Sequence, residues 1–301
     1  MTNQLTLRKN MSSFVDEWIK FADVKEKSAV TYSKVLKVFF QYLSDERIVN
    51  PTPDDIYNWR DFLKAQDKSP ATVNLYLTAV KLFFKFLKVK GIYDLEISRM
   101  KGCKVSSEHK KDPLTAEQVK KILDSFNTKS IEGLRNKAIF ALMVTCGLRT
   151  IEVSRADCSD LKKSCGRTML FVQGKGRDEK SECVMIPEKV IELINDFHKK
   201  LYCPKNGPLF PSLTTGGRLI AGSVGRIIKT SMRAAGIDSS RLTAHSLRHT
   251  AATAMLLNGV ELAKVQQILR HKNINTTLIY SHHLERLKNH GEDAAADSFF
   301  T

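Results

Sequence analysis

The sequence predicts a mainly α-helical protein of two domains, with a small β-sheet in the second domain. Three observations support this. The first hundred residues show only helical periodicity, a polar and non-periodic segment follows at 101–112, and a β-rich stretch interrupts the helices only after that segment. In addition, a chain of 301 residues is long for one hydrophobic core.

The first predicted domain, residues 1–100, contains four helices. They cover residues 12–24 and 29–43, a segment starting at Thr52-Pro53, and the stretch from Ser69-Pro70 to Val89. The first two are apolar stripes at helical spacing. The third has the clearest start, because a capping hydroxyl at Thr52 precedes a proline at the first helical position and two early acids.

The fourth helix carries a basic face. Lys81, Lys85 and Lys88 are spaced at i, i+4 and i+7, opposite an apolar face. Such a stripe can follow a phosphate backbone. A solvated lysine face on a core helix would show the same pattern, so the spacing alone leaves both interpretations open.

The charge of the whole chain favours a polyanionic partner. The net charge is +16, with 20 Lys/Arg against 13 Asp/Glu in residues 1–111 and 28 against 19 in the remainder. Nucleic acid is the common partner of such a protein, and a merely basic soluble protein is the other interpretation.

The longest apolar stretch, 138–144, is too short to cross a membrane, and the polar N-terminus lacks a signal segment, so we expect a cytoplasmic protein. The six cysteines show no zinc-site spacing and are expected to be free thiols.

The second predicted domain, residues 113–290, begins with a helix and contains a β-hairpin. Thr115 and Gln118 have the spacing of a capping box. Residues 168–173 are β-rich, and 183–186 can return as a second strand. Lys175 lies at the tip of the intervening turn between two glycines, followed by Arg177. A lysine there can reach a phosphate or a leaving oxygen, although an ordinary glycine-rich turn has the same sequence.

A candidate anion site precedes this hairpin. Gly147 is expected to end a helix, so that Arg149 lies near the N-terminus of the next helix, where free backbone N–H groups also attract anions. Glu152, one turn later, can orient the guanidinium. An Arg-x-x-Glu pair is also common as a surface ion pair.

Three short helices near the C-terminal end are predicted to gather further polar side chains. His245 and Arg248 share the first turn of one helix, His271 follows the second, and Tyr280 lies in the third. Each alone is more often structural than catalytic. Together with Arg149 they suit phosphoryl transfer, because arginine and histidine donors match the charge of a pentacoordinate phosphate. A phenol, with a pKa of about 10, can both attack and depart.

These motifs together resemble the tyrosine recombinases, or phage-type integrases, in a compact layout similar to Xer recombinases and mobile-element integrases. The resemblance rests on Gly147-Leu148-Arg149-x-x-Glu152, Lys175 in a Gly-Lys-Gly turn, His245-x-x-Arg248, and His271 nine residues before Tyr280. It implies a four-helix SAM-like core-binding domain and a catalytic domain that clamp double-stranded DNA. One residue departs from the pattern, because Arg270 stands where the family usually has glycine. A residue with a side chain strains a left-handed turn.

The resemblance also implies roles for the residues. Tyr280 would attack the scissile phosphate to give a 3′-phosphotyrosine and a free 5′-hydroxyl. Arg149, Arg248 and His271 would hold the phosphate, Lys175 would be the general acid, His245 a base or donor, and Glu152 would support Arg149. The expected DNA contacts are Lys81, Lys85, Lys88, Arg177 and Arg270. No metal or other cofactor is expected, since the sequence shows neither a carboxylate cluster nor a nucleotide loop.

The expected partners are double-stranded DNA and further copies of the chain, as a tetramer on two DNA sites. The C-terminal tail, 291–301, ends in two phenylalanines, and we hypothesise that it docks on a neighbouring subunit; packing on its own domain is the alternative. A need for an accessory protein is left open. Three other functions stay in view: a type IB topoisomerase-like enzyme, a DNA-binding regulator with a decayed catalytic centre, and a structural nucleoid protein.

Overall fold

The chain folds into two compact units, Met1–Glu108 and His109–Thr301. The computed structural model describes residues 7–105, 112–164, 166–174, 179–201, 206–271, 278 and 297–299. The fold is mainly helical with one small sheet, which confirms the predicted fold class. Among the described residues, none of the helices combines the length and the apolar character needed to span a bilayer.

The first unit is built from helices that pack around aromatic side chains. In its described part they are α1 (Leu7–Phe21), α2 (Glu26–Asp45), α3 (Pro53–Ala65) and α4 (Pro70–Val89). The predicted starts of α3 and α4 are confirmed, since Thr52 and Ser69 cap them through their hydroxyls. Helix α2 begins earlier than its apolar stripe indicated. Its start has no side-chain cap that a sequence pattern could have revealed.

Large rings fill the core of this unit. Trp18, Phe39, Trp59 and Phe83 are fully or almost fully buried. The rings of Phe39 and Trp59 meet edge to face, with centroids 4.7 Å apart. Eight residues of α4 are buried in this unit, whereas Lys85 and Lys88 on the same helix are exposed.

The second unit consists of helices and a three-stranded sheet. Its described elements are α5 (Ala116–Ser125), α6 (Ile131–Cys146), α7 (Thr150–Arg155), β1 (Leu161–Ser164), β2 (Arg167–Val172), β3 (Glu182–Ile186), α8 (Glu188–Leu201), α9 (Ala221–Ala234), α10 (Ala244–Leu257) and α11 (Leu262–Leu269). The predicted capping box of Thr115 and Gln118 opens α5. Helix α6 is buried along most of its length and is the centre of the core.

The sheet is antiparallel in the order β1-β2-β3. Leu170 at its centre pairs with Leu161 on one side and Val184 on the other. Strands β2 and β3 agree with the predicted hairpin. Strand β1 was not predicted, because its residues 162–164 are exposed and show no apolar alternation. Lys175 and Arg177, in the connection from β2 to β3, lie outside the described residues.

Candidate active site

A tight turn after α6 brings the end of α11 close to the start of α7. Gly147 ends α6 in the left-handed conformation, with φ of 61°, and its N–H donates to the Met143 carbonyl at 3.0 Å. A Cβ atom at this position would lie 2.3 Å from Cδ2 of Leu269. The position therefore needs glycine both for its backbone dihedral and for the close approach of α11.

Arg149 and Glu152 form the next part of the site. Arg149 is the N-cap residue of α7, as predicted, and its backbone N–H donates to Glu152 Oε2 at 2.9 Å. Its guanidinium Nη1 donates to Glu152 Oε1 at 2.8 Å. The Glu152 side chain has no exposed surface. A buried carboxylate that binds both the backbone and the side chain of Arg149 fixes the direction of the guanidinium.

Arg248, in the first turns of α10, joins three elements. It is only 1% exposed. Its Nη1 donates to the Gly147 carbonyl at 2.6 Å, and its Nη2 donates to the Leu269 carbonyl. Its Nε lies 3.3 Å from Nε2 of His271. Its guanidinium is thus held by the ends of α6 and α11 before any ligand binds.

His271 follows α11 and lies among the arginines. Burial, and then the charges of Arg248 and Arg149, lower the pKa of its imidazole to about 3. The ring is therefore neutral near pH 7. Because Nε2 accepts from Arg248, the hydrogen bond assigns the ring proton to Nδ1, which makes Nδ1 a donor.

Arg270 lies directly after the last residue of α11. Its backbone is left-handed, with φ of 55° and ψ of 47°, as expected for a position that usually holds glycine. Its side chain, however, is only 4% exposed, and Nη2 donates to Glu152 Oε2 at 2.7 Å. The buried carboxylate of Glu152 thus holds this guanidinium inside the protein, and the predicted contact of Arg270 with DNA phosphate stays a prediction.

The charge state of Glu152 follows from these two arginines. Burial alone would raise the pKa of its carboxyl, but Arg270 and Arg149 outweigh burial and lower it below its ordinary value. Glu152 is therefore an anion at neutral pH. The Arg-x-x-Glu spacing predicted the pairing of Glu152 with Arg149 but not its pairing with Arg270. The arginine in place of glycine was the available signal.

The remaining predicted catalytic residues divide into two groups. His245 is exposed in the first turn of α10, close enough to His271 to contribute electrostatically to the lowering of the His271 pKa. Its ring meets that of His249 edge to face, with centroids 5.2 Å apart. Lys175 and Tyr280 lie outside the described residues. The structure thus brings together Arg149, Arg248 and His271.

Two lysines of the predicted basic face of α4 bind partners within their own unit. Lys81 donates to the carbonyls of Met100 at 2.5 Å and Ser98 at 3.3 Å. Lys88 forms an exposed ion pair with Asp94 at 2.8 Å. Lys85 is exposed. Of the three lysines, Lys85 retains the side chain best placed for an external partner.

The described part of the chain offers few side chains for metal binding or for thiol chemistry. Within it, no group of three or more His, Cys, Asp or Glu side chains is arranged to hold a metal ion. Three of the described cysteines, Cys103, Cys146 and Cys183, are free thiols, as predicted. Burial raises the pKa of the Cys146 thiol to about 12, so this thiol stays protonated.

The chain is similar to known proteins along most of its length. A family model described as the phage integrase family matches residues 113–286, and one described as the phage integrase N-terminal SAM-like domain matches residues 13–91. A protein from Synechocystis sp. named as a tyrosine recombinase is 31% identical over 271 residues, covering 83% of this chain and 84% of its own. The tyrosine recombinase XerD of Listeria innocua is 28% identical, covering 90% of this chain and 94% of its own.

A solved structure supports the same fold. A lambda integrase tetramer bound to a Holliday junction superimposes with a TM-score of 0.69 at 19% identity. The match covers 90% of this chain and 76% of that one. At this identity the likeness concerns the fold.

Proposed function

The chain belongs to the phage integrase family and is a tyrosine-type site-specific recombinase, and we propose that Tyr280 is the nucleophile with which it breaks and rejoins duplex DNA. The observation that carries this proposal is the convergence of Arg149, Arg248 and His271. Their donors are fixed in advance by bonds within the protein. Donors fixed in this way are typically the largest contribution to catalysis of charge-developing reactions.

The proposed reaction needs only this chain and DNA. The Tyr280 oxygen attacks the scissile phosphorus, giving up its proton to His245 or to solvent, and the bond from phosphorus to the 5′ oxygen breaks. Lys175 donates a proton to that oxygen, which leaves as a 5′-hydroxyl, while the 3′ end stays on Tyr280. In the reverse step a 5′-hydroxyl of the partner strand displaces the phenol. Since one phosphoester replaces another, no external energy source is required.

The reacting phosphate would be stabilised by three side chains while the bonds at phosphorus form and break: Arg149, Arg248 and His271. The two guanidinium groups neutralise the charge on the non-bridging oxygens, and the neutral His271 adds its Nδ1 hydrogen bond. Glu152 would act through Arg149 by keeping its guanidinium in place.

A trapping experiment tests the proposed function. A pool of nicked duplexes with a randomised centre would be incubated with the protein, and covalent adducts would be isolated on denaturing gels and sequenced. Plasmids carrying two copies of the recovered site would then be tested for strand exchange. Exchanged products support the recombinase, relaxation of supercoils without exchange indicates a topoisomerase-like enzyme, and DNA binding without an adduct indicates a regulator.

We propose that residues 1–100 form a core-binding domain, 101–112 a linker and 113–290 the catalytic domain, which together contact double-stranded DNA. We also propose a cytoplasmic location, because the proposed substrate is DNA. Within the first domain, the exposed Lys85 is the proposed phosphate contact of α4, whereas Lys81 holds the chain after the helix through the carbonyls of Ser98 and Met100.

These two lysines give a matched pair of variants. Lys85→Gln is expected to weaken DNA binding and to reduce the slope of log affinity against log salt by about 1, without changing stability. Lys81→Gln is expected to lower the free energy of unfolding by about 1 kcal/mol, because two carbonyls lose their donor. Fluorescence anisotropy at several salt concentrations and urea unfolding measure both. An unchanged affinity and salt slope in Lys85→Gln would remove α4 from the DNA interface.

We further propose a tetramer in which the tail, residues 291–301, docks on a neighbouring subunit. Phe299 lies in the short helical segment 297–299 and is 79% exposed. The second unit has an apolar groove of about 1270 Å³. Among the residues that line it are Leu114, Val119, Leu123, Val144, Met255 and Ile268. An exposed phenylalanine in the tail and an apolar groove on the same unit suit an exchange between copies.

Deleting residues 291–301 tests this assembly. The truncated protein is expected to bind a single DNA site and to form the covalent adduct, but to lose tetramers that hold two sites. Native gels and analytical ultracentrifugation with DNA measure the assembly. The point variant Phe299→Ser, in the full-length chain, is the control for an indirect effect of truncation. Intact two-site tetramers in both variants would contradict the proposed docking.

A further inference from the structure

Arg270 has an unfavourable backbone conformation that its side chain must offset. A residue with a Cβ atom in the left-handed region costs about 1–2 kcal/mol relative to glycine. Two backbone hydrogen bonds hold the turn. The Arg270 N–H donates to the Gln267 carbonyl at 2.9 Å, and the His271 N–H donates to the Gln266 carbonyl at 3.1 Å. The orientation of His271 therefore depends directly on this strained turn.

The first side-chain link of Arg270 leads to Arg149. Glu152 accepts from Arg270 Nη2 at 2.7 Å and from Arg149 Nη1 at 2.8 Å, on different carboxylate oxygens. One buried anion thus sets the spacing of two guanidinium groups. A backbone link adds to it, because Arg149 Nη2 donates to the Arg270 carbonyl at 3.4 Å. Arg270 and Arg149 cannot move independently while these contacts last.

The second side-chain link leads to the β2–β3 connection. Arg270 Nε lies 3.9 Å from Oε2 of Glu182, the first residue of β3. Lys175 precedes Glu182 by seven residues within that connection. Arg270, His271 and Glu182 also line one cavity of about 490 Å³. The Arg270 guanidinium therefore interacts with two carboxylates. Glu152 also binds Arg149, and Glu182 lies where the β2–β3 connection, which contains Lys175, enters β3.

We infer that Arg270 is a positioning residue: through Glu152, Glu182 and its own backbone, it sets the relative placement of Arg149, His271 and the base of the β2–β3 connection. The inference rests on the proposed function and adds a residue to it. It differs from a phosphate contact, because the guanidinium is buried, donates to the Glu152 carboxylate and the Ile268 carbonyl, and has the Glu182 carboxylate 3.9 Å from its Nε. Loss of Arg270 should therefore slow DNA cleavage at saturating DNA and leave DNA affinity largely unchanged.

Variants at position 270 and its partner test this inference. Arg270→Gln is expected to reduce the single-turnover rate of adduct formation by about tenfold or more, because small misplacements of catalytic groups are costly. Arg270→Gly relieves the backbone but leaves the buried Glu152 carboxylate with Arg149 as its remaining arginine partner, so it should be no more stable than the parent protein and slow in cleavage. Arg270→Lys keeps one cationic contact and should recover part of the rate.

A double-mutant cycle with Glu182→Gln separates the two links. Glu182→Gln alone should slow cleavage less than Arg270→Gln, and in the Arg270→Gln background it should add little, because the interaction is already lost. Arg233→Gln is the control for the loss of one positive charge. It removes an exposed arginine of α9 that pairs with Asp238, and should leave the rate unchanged.

The outcomes distinguish this inference from the proposed function. If the parent protein forms no adduct, the proposed function fails. If the parent forms the adduct and both Arg270→Gly and Arg270→Gln cleave at the parental rate, the inference fails alone. A loss of DNA affinity in proportion to the loss of rate would also overturn it, since Arg270 would then contact phosphate. If Arg270→Gln does not fold, Arg270→Gly and Glu182→Gln decide the question.

Discussion

Replacing Tyr280 with phenylalanine is expected to abolish the covalent protein–DNA adduct and to leave DNA binding nearly unchanged. The substitution removes one oxygen atom and keeps the ring. If that oxygen is the nucleophile, the rate of adduct formation should fall by at least about four orders of magnitude, as when a nucleophile is removed from other covalent enzymes. A trapped nicked duplex on denaturing gels measures the adduct, and anisotropy measures the affinity.

A second tyrosine provides the control. Tyr57→Phe makes the same chemical change on an exposed ring of α3 and is expected to keep the adduct. Adduct formation by Tyr280→Phe at the parental rate would assign the chemistry to another residue. Loss of DNA binding in Tyr280→Phe would instead indicate that the phenol supports the fold or the interface.

Arg248→Lys is expected to damage both stability and catalysis. The guanidinium of Arg248 binds the carbonyls of Gly147 and Leu269 and contacts His271. A single ammonium group cannot reproduce this fork. At least one buried carbonyl then loses its donor, which costs about 1–3 kcal/mol of unfolding free energy. Loss of one preorganised phosphate donor should slow cleavage by about two to three orders of magnitude.

The two effects of Arg248→Lys can be measured separately. Urea unfolding gives the stability, and single-turnover cleavage at saturating DNA, well below the melting temperature of the variant, gives the rate. Arg233→Lys, an exposed arginine of α9, is the matched substitution that should change neither. A destabilised Arg248→Lys that cleaves at the parental rate would show that Arg248 only ties the helices together.

The local parts of this architecture could be read from the sequence, because their signals lie within a few residues of one another. Thr52, Ser69 and Thr115 each cap a helix through a neighbour three positions on. Gly147 ends α6 as predicted, since a left-handed turn needs glycine. Strand β1 escaped prediction for a physical reason: an exposed edge of a small sheet carries no apolar alternation.

The long-range contacts could not be derived in the same way. Arg248 reaches the carbonyl of Gly147 across 101 positions, and Arg270 reaches Glu152 across 118. A sequence pattern identified these residues as polar and correctly spaced, but the direction of each guanidinium depends on which buried acceptor the fold brings to it. Lys81 shows the same effect, because the carbonyls that hold it belong to the chain after α4.

The low pKa of His271 has a consequence for the thermodynamics of complex formation. Near Arg248 and Arg149 the ring stays neutral far below its usual range. A phosphodiester seated beside these cations would add a negative charge and raise the pKa of the ring. Complex formation would then be linked to proton capture, and the affinity for the double helix would increase as the pH falls through the interval between the raised pKa of the ring in the complex and its value of about 3 in the free protein. One imidazole would thereby give the association equilibrium a dependence on pH that the arginines, always charged, cannot supply.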